Sequence, residues 1–383
     1  MRTTRSRARS RLAATATLAA FACLTTLDLS AQDAAAAGNS GVIRIQKQGS
    51  FYYGGRQITA PGTFEPTQPF GDNSGETFDV DKGYAFFQIP PNARQYPLVM
   101  WHGGGQHGKT YEDFEDRENY QSIFLRRGWS VYIIDQPRTG KAGYPSFTGP
   151  FGTLEGEEII PNNTLAYGIK VGFNNFRLGV WDDSGRRFFK GVLFPRTEYA
   201  LDQLNAQTIP IIGTDVEVNV SAQAALFRKV GPAVLITHSA SGGPGWRTAM
   251  RVPRKVVGIV SYEPVGFVFP EGELPEGETG AVPLSDFRKL TRIPIQIIWG
   301  DFIDSGPLNR TILERSRRFA EAINRHGGDA EVIHLPDIGI QGNTHFPFAD
   351  LNNHEIADLL SRWLRQKGLD RRGGSAGAVA AEE

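Results

Sequence analysis

Apolar and polar positions alternate in short runs between Val42 and Ile89, at Phe51 to Tyr53, Thr77 to Val80 and Ala85 to Ile89. Gly54-Gly55, Pro61-Gly62, Asp72-Asn73 and Asp81-Lys82-Gly83 punctuate them, so the stretch predicts antiparallel lead-in strands with turns at those positions. On the same reading, Asp79-x-Asp81-x-Gly83 is a hairpin turn rather than a calcium loop. Further on, the pattern lengthens into continuous apolar runs, each followed by a polar loop or a helical period. Leu98 to Trp101 precedes a helix over Tyr111 to Arg127, and Ser130 to Asp135 follows as a strand. Ala233 to Thr237 precedes Gly245 to Met250, and Val256 to Tyr262 comes next. Ile293 to Trp299 precedes Arg310 to His326, and Glu331 to Leu335 precedes His354 to Gln366. Strands apolar throughout, alternating with helices, predict a mainly parallel sheet covered on both faces.

Residues 140–205 interrupt this rhythm with a Gly/Pro/aromatic-rich stretch holding Tyr144, Phe147, Phe151, Trp181, Phe188 and Phe189. An insertion between sheet strands lies over the strand ends, where ligands bind, so this one predicts a cap. Trp181 and Phe188 are its candidates for an apolar substrate pocket.

The two ends of the chain carry a different signal. Residues 1–11 hold five Arg and no acid, Leu12 to Leu27 are apolar and Ala/Thr-rich, and small residues follow at Ala31 and at Ala35 to Ala37. That order predicts a secretory signal peptide over residues 1–37. The apolar run is too short for a membrane anchor and stops at Asp28. Removing it takes five Arg and two acids, Asp28 and Asp33, from the 41 of each sign, leaving a mature net charge of about −3. With so little net charge the chain has no broad positive field to hold phosphates, which disfavours nucleic acid as a partner. The one Cys, Cys23, leaves with the signal, so the mature protein is expected to have neither a disulfide nor a thiol nucleophile. A globular domain over residues 38–370, in a periplasmic or extracellular setting, and a disordered tail over residues 371–383 complete the predicted organisation.

Candidate chemistry centres on Thr237-His238-Ser239-Ala240-Ser241-Gly242-Gly243, where a buried strand runs directly into a helix. This is a nucleophile elbow, in which the central Ser sits on a strained turn with small residues two positions to either side. Ser239 is the nucleophile, and the Ala240 amide at the helix start faces developing negative charge. Far upstream, strand Leu98 to Trp101 ends in His102-Gly103-Gly104-Gly105, the place for the oxyanion-hole loop of an α/β-hydrolase. Gly104 is the first candidate for the second amide donor and Gly105 the next. The fold class is therefore α/β, an α/β-hydrolase with N-terminal antiparallel strands and an inserted cap.

A base must come late in the chain. His326 ends a helix, His334 lies within a strand and His354 opens the last helix. His345 stands instead in the loop Gly342-Asn343-Thr344-His345, from which an imidazole reaches the elbow. His238 reads as a packed neighbour of the nucleophile. No His pair has the helical spacing of a zinc site, and no cofactor or metal is expected. For the acid, Asp301 and Asp304 follow one strand and Glu263 follows the strand before it; a carboxylate at either strand end can accept the imidazole Nδ1 proton.

Four segments together resemble a known family: Gly49-Ser50-Phe51-Tyr52-Tyr53-Gly54-Gly55; the His-Gly-x-x loop running on to Ile134-Asp135-Gln136; Thr237 to Gly242; and Gly342 to His345 followed by Asp350-Leu351-Asn352-Asn353. The chain is similar in these to the secreted bacterial serine esterases of the esterase 713 family. The resemblance implies a Ser239, His345 and Glu263 triad but carries over no substrate; hydrolysis of small-molecule or polymeric carboxylic esters through an acyl-enzyme is what that triad leads us to expect. It departs at Gly104-Gly105, where the family loop carries Cys, so no disulfide at the oxyanion hole is implied. Two alternatives remain: a carbon–carbon hydrolase of diketones using the same triad, and an exported binding protein on this scaffold with the triad idle.

Overall fold

The computed structural model describes residues 41–68, 74–115, 117–143, 164–165, 167–212, 216–276 and 278–373. The predicted signal segment, the cap aromatics Tyr144, Phe147 and Phe151, and the tail from residue 374 lie outside them. Of residues 1–44 only 41–44 are described, and residues 45–383 group as one compact unit.

Eight strands form the main sheet: β1 (Lys47–Thr59), β2 (Thr77–Ile89), β3 (Leu98–Trp101), β4 (Val131–Asp135), β5 (Ala233–His238), β6 (Val256–Tyr262), β7 (Ile295–Trp299) and β8 (Ala330–His334). Their order is β1-β2-β4-β3-β5-β6-β7-β8. β1 and β2 join antiparallel, β2 meets β4 antiparallel, and every later neighbour is parallel. β3, β5 and β7 are buried at every position, because helices cover both faces and leave no solvent side to which a polar residue could alternate. After β3 the chain adds β4 on one side, then returns to lay β5 on the other. The crevice beyond the carboxyl ends of β3 and β5 is thus the topological switch point, the usual ligand position in open α/β sheets.

Helices α1 (Tyr120–Arg126), α2 (Ile169–Asn175), α3 (Glu198–Ala206), α4 (Val216–Val230), α5 (Gly242–Arg251), α6 (Leu284–Leu290) and α7 (Pro307–Arg325) lie between these strands, and α8 (Asn353–Gln366) follows the last of them. α4 has no counterpart in the sequence reading. Its buried Val220, Ala224 and Phe227 recur at helical spacing.

Three expectations need correction. The lead-in runs are one long hairpin, paired from Lys47↔Ile89 to Thr59↔Thr77. Gly54-Gly55 and Asp81-Lys82-Gly83 face each other within it in unbroken register, with Asp81 at φ 58°, instead of forming two turns. Asp81 is buried there and pairs with Arg138 at 2.8 Å, so its carboxylate anchors the hairpin to the loop after β4. The helix expected over Tyr111 to Arg127 is a 3-10 turn at Gly108–Tyr111 followed by α1, which starts only where Asn119 Oδ1 caps the Tyr120 amide at 2.8 Å. Last, Arg371 and Arg372 are not tail: the Gln95 amide donates to the Arg371 carbonyl at 2.9 Å, and Arg372 bridges to Arg94.

Candidate active site

Strand register brings the chemistry to one edge. Trp101 is level with Thr237, His238 with Tyr262 and Tyr262 with Ile298, so the chain leaves β3, β5, β6 and β7 side by side. At those exits stand His102-Gly103-Gly104, Ser239, Glu263 and Gly300.

Ser239 has φ 51°, in the left-handed region that disfavours a side chain. The strain is held by bonds on both flanks. Ser241 Oγ accepts from the His238 amide at 2.9 Å and reaches the Trp101 carbonyl at 3.1 Å, while the Ser239 carbonyl accepts from Val265 N at 2.9 Å. Thr237 fits because its hydroxyl bonds Ser261 Oγ at 2.6 Å and its methyl faces Gly245, where a Cβ would come within 2.8 Å.

His102 ties the glycine loop to β4. Its Nε2 accepts from Gln136 N at 3.3 Å, so its Nδ1 carries the proton and donates to the Gly103 carbonyl at 2.8 Å. Burial lowers its pKa and favours this neutral ring. A Cβ on Gly104 would lie 3.1 Å from Ala240 Cβ, so the two candidate oxyanion residues are adjacent. Gly105 is turned into the cap, with its carbonyl accepting from Ile209 N at 2.8 Å and Tyr167 against its Cα.

His345 Nδ1 lies 2.5 Å from Glu263 Oε2. Glu263 is fully buried, adopts φ 47°, and its Oε1 accepts from Gly300 N at 2.7 Å and from Arg177 Nη2. Burial pushes this carboxyl up, but Arg177 and then His345 outweigh burial and hold it at about 2. Only glycine serves at position 300, where a Cβ would stand 2.4 Å from the Thr344 carbonyl and 3.0 Å from Glu263 Oε1. The His345 loop is pinned from behind by Asp350, whose carboxylate accepts from Thr344 N at 2.7 Å and from Thr344 Oγ1 at 2.8 Å. Burial outweighs these donors and pushes the Asp350 carboxyl up to about 7.

No hydrogen bond joins Ser239 to His345 among the described residues. The two meet through His238, whose ring is 4.6 Å from the His345 ring and whose Nε2 donates to the His345 carbonyl at 2.9 Å. Burial keeps His238 neutral, so Nε2 can hold that proton.

The other candidate acids are engaged elsewhere. Asp301 Oδ1 accepts from Phe302 N at 2.6 Å and its Oδ2 from Gly342 N at 2.8 Å. Asp304 is exposed and pairs with Arg310. Trp181 and Phe188 sit on a hairpin of the cap, Gly179–Asp182 with Gly185–Phe188, and pack on Phe173 with centroids at 5.6 and 5.1 Å. Neither is among the residues lining a small cleft bounded by Thr110, Phe114, Phe194, Leu204, Phe346 and Ala349. That cleft adjoins the site through Phe346, the neighbour of His345.

Sequence reasoning missed Arg177 and Phe176. Phe176 stacks parallel to the His345 ring at 5.5 Å, and its carbonyl accepts from His345 N at 3.0 Å. Among the described residues no group of three or more His, Cys, Asp or Glu could hold a metal ion, and no helix is long and apolar enough to cross a membrane.

Strand order, elbow and glycine loop together are those of an α/β-hydrolase, and the chain belongs to that superfamily. Comparison with known proteins agrees. The chain is similar to a structurally characterised bacterial esterase, with a TM-score of 0.70 and 28% identity, covering 86% of this chain and 98% of that one. It is also 26% identical over 324 residues to "Probable secreted lipase phiG" of Fungal sp. (strain ATCC 74256), which covers 73% of this chain and 84% of that protein. No family model matches.

Proposed function

We propose that the protein is an exported serine hydrolase of carboxylic esters, working through an acyl-enzyme with Ser239, His345 and Glu263. The observation that carries the reading is the buried Glu263 carboxylate bonded to Nδ1 of an imidazole that packs against the elbow residue His238. With Nδ1 occupied, Nε2 is the free acceptor for the Ser239 proton, which is what a general base requires. Ser239 Oγ attacks the ester carbonyl, the amides of Ala240 and Gly104 receive the oxyanion, and His345 returns the proton to the leaving alcohol. Water then enters by the same route and releases the acid. Each oxyanion donor is worth about 2.7–4 kcal/mol of barrier. The esterase and lipase relatives support ester hydrolysis. Export rests on the Arg-rich, then apolar, N-terminal sequence.

The test is labelling with a fluorophosphonate, which phosphonylates an activated serine. The adduct should map to the peptide containing Ser239 in wild type and be absent from Ser239→Ala, which should also lose p-nitrophenyl acetate hydrolysis. An unlabelled wild-type protein would favour the idle scaffold, and an active Ser239→Ala would end the serine mechanism.

A further inference from the structure

Arg177 is buried with only 1% of its side chain exposed, and it comes from the cap, not from the sheet that carries the triad. Helix α2 ends in a Schellman motif: Leu178 N donates to the Phe173 carbonyl and Arg177 N to the Asn174 carbonyl, both at 3.1 Å. Arg177 occupies the position that motif gives to glycine, at φ 62°. An arginine strained into a glycine site must be held by what its side chain does. Here Nε donates to the Asp301 carbonyl at 2.8 Å and Nη2 to Glu263 Oε1, so one planar fork spans the turns after β6 and β7. The preceding residue, Phe176, bonds the His345 amide and stacks on its ring. Two consecutive cap residues therefore grip the base and the acid.

We propose that Arg177 is a positioning residue through which the cap assembles the charge relay: it fixes Glu263 as an ionised carboxylate with Oε1 turned away, so that Oε2 meets His345 Nδ1. The inference rests on the Ser239, His345 and Glu263 reading above. The groups facing Glu263 are Arg177 from the cap, His345 from the loop after β8 and the Gly300 amide after β7, with neutral His238 from the end of β5 near by. The Asp301 carboxylate is turned toward Phe302 N and Gly342 N. Arg177 is the fixed positive charge in this set. Without it the protonated form of the Glu263–His345 pair persists to higher pH, so the acidic limb of the activity profile moves up.

The experiment measures kcat, KM and the pH profile of kcat/KM on p-nitrophenyl acetate for Arg177→Met, Arg177→Lys, Glu263→Gln and Glu263→Gln/Arg177→Met, beside thermal melts. Arg177→Met should lower kcat about 10²-fold or more, with KM nearly unchanged, and move the acidic limb up by about one pH unit or more. Arg177→Lys keeps the charge but not the fork, so its limb should return toward wild type while kcat stays reduced. In the Glu263→Gln background, Arg177→Met should cost little further activity, because its target is already gone. An unshifted limb in a folded Arg177→Met, or a second full loss in the double variant, would overturn the proposal. Should Arg177→Met fail to fold, wild-type kcat and limb in Arg177→Lys would overturn it. Full activity of Glu263→Gln would instead defeat the triad reading on which the proposal rests.

Discussion

The turns after β6 and after β7 stand side by side at the same sheet edge, and both offer carboxylates, yet they are built for different tasks. After β6 the first residue out of the strand is Glu263, in the left-handed region, with both oxygens buried and bonded. After β7 the first residue is Gly300, whose amide donates to Glu263 and whose missing side chain lets the His345 loop close over it. Asp301, one residue later, staples Phe302 and Gly342, and Asp304 reaches solvent. The difference teaches that topological position alone does not select an acid. For the proposed triad, the selecting features are which residue leaves the strand, the side-chain length needed to reach the imidazole, and which buried cation keeps the carboxyl ionised.

The comparison is broken most severely at Glu263. Glu263→Gln should lower kcat by as much as about 10⁴-fold with the fold retained, through the wrong tautomer and lost charge on the partner of His345. Because Glu263 is depressed from 4.5 to about 2, it adds stability that is present above pH 4.5 and drains away as pH falls toward 2. Melts of the Gln variant should lack that part of the acid sensitivity. Glu263→Asp retains the charge but shortens the reach by one methylene, so a kcat loss of about 10²-fold is expected, read in the same assay. Asp301→Asn keeps one acceptor for the two loop amides, and melts should show a loss of about 0.5–2 kcal/mol with kcat within a few fold of wild type. Asp304→Asn removes a solvent-screened pair and should change neither kcat nor, beyond about 0.5 kcal/mol, stability.

Much of this architecture was legible because its signals are local. The apolar runs at Leu98 to Trp101 and Ala233 to Thr237 mark central strands, and Ser239 and Gly104 lie where those strands end. His345, the proposed base, stands in the loop after the last strand, where the sequence places a candidate base. Other features depend on contacts remote in sequence. Gly54-Gly55 and Asp81-Lys82-Gly83 look like turns taken singly and are strand only because they pair across the hairpin. The residues alone leave Glu263, Asp301 and Asp304 equivalent, since the contacts that set Glu263 apart come from Gly300 and Arg177, which are 37 and 86 positions from it. Arg177 itself sat in a stretch read for its aromatics, and an arginine ending a helix without glycine gives no warning that it is buried. Trp181 and Phe188 are large rings that each pack against Phe173 while remaining partly exposed.

The central claim is that the imidazole Nδ1 proton of His345 is shared with Glu263, and proton NMR of the resting enzyme reads that proton directly as a far-downfield exchangeable resonance. It should appear in wild type and in Asp301→Asn and be missing from His345→Ala and Glu263→Gln. Survival of the resonance in Glu263→Gln, or its loss in Asp301→Asn, would contradict the assignment.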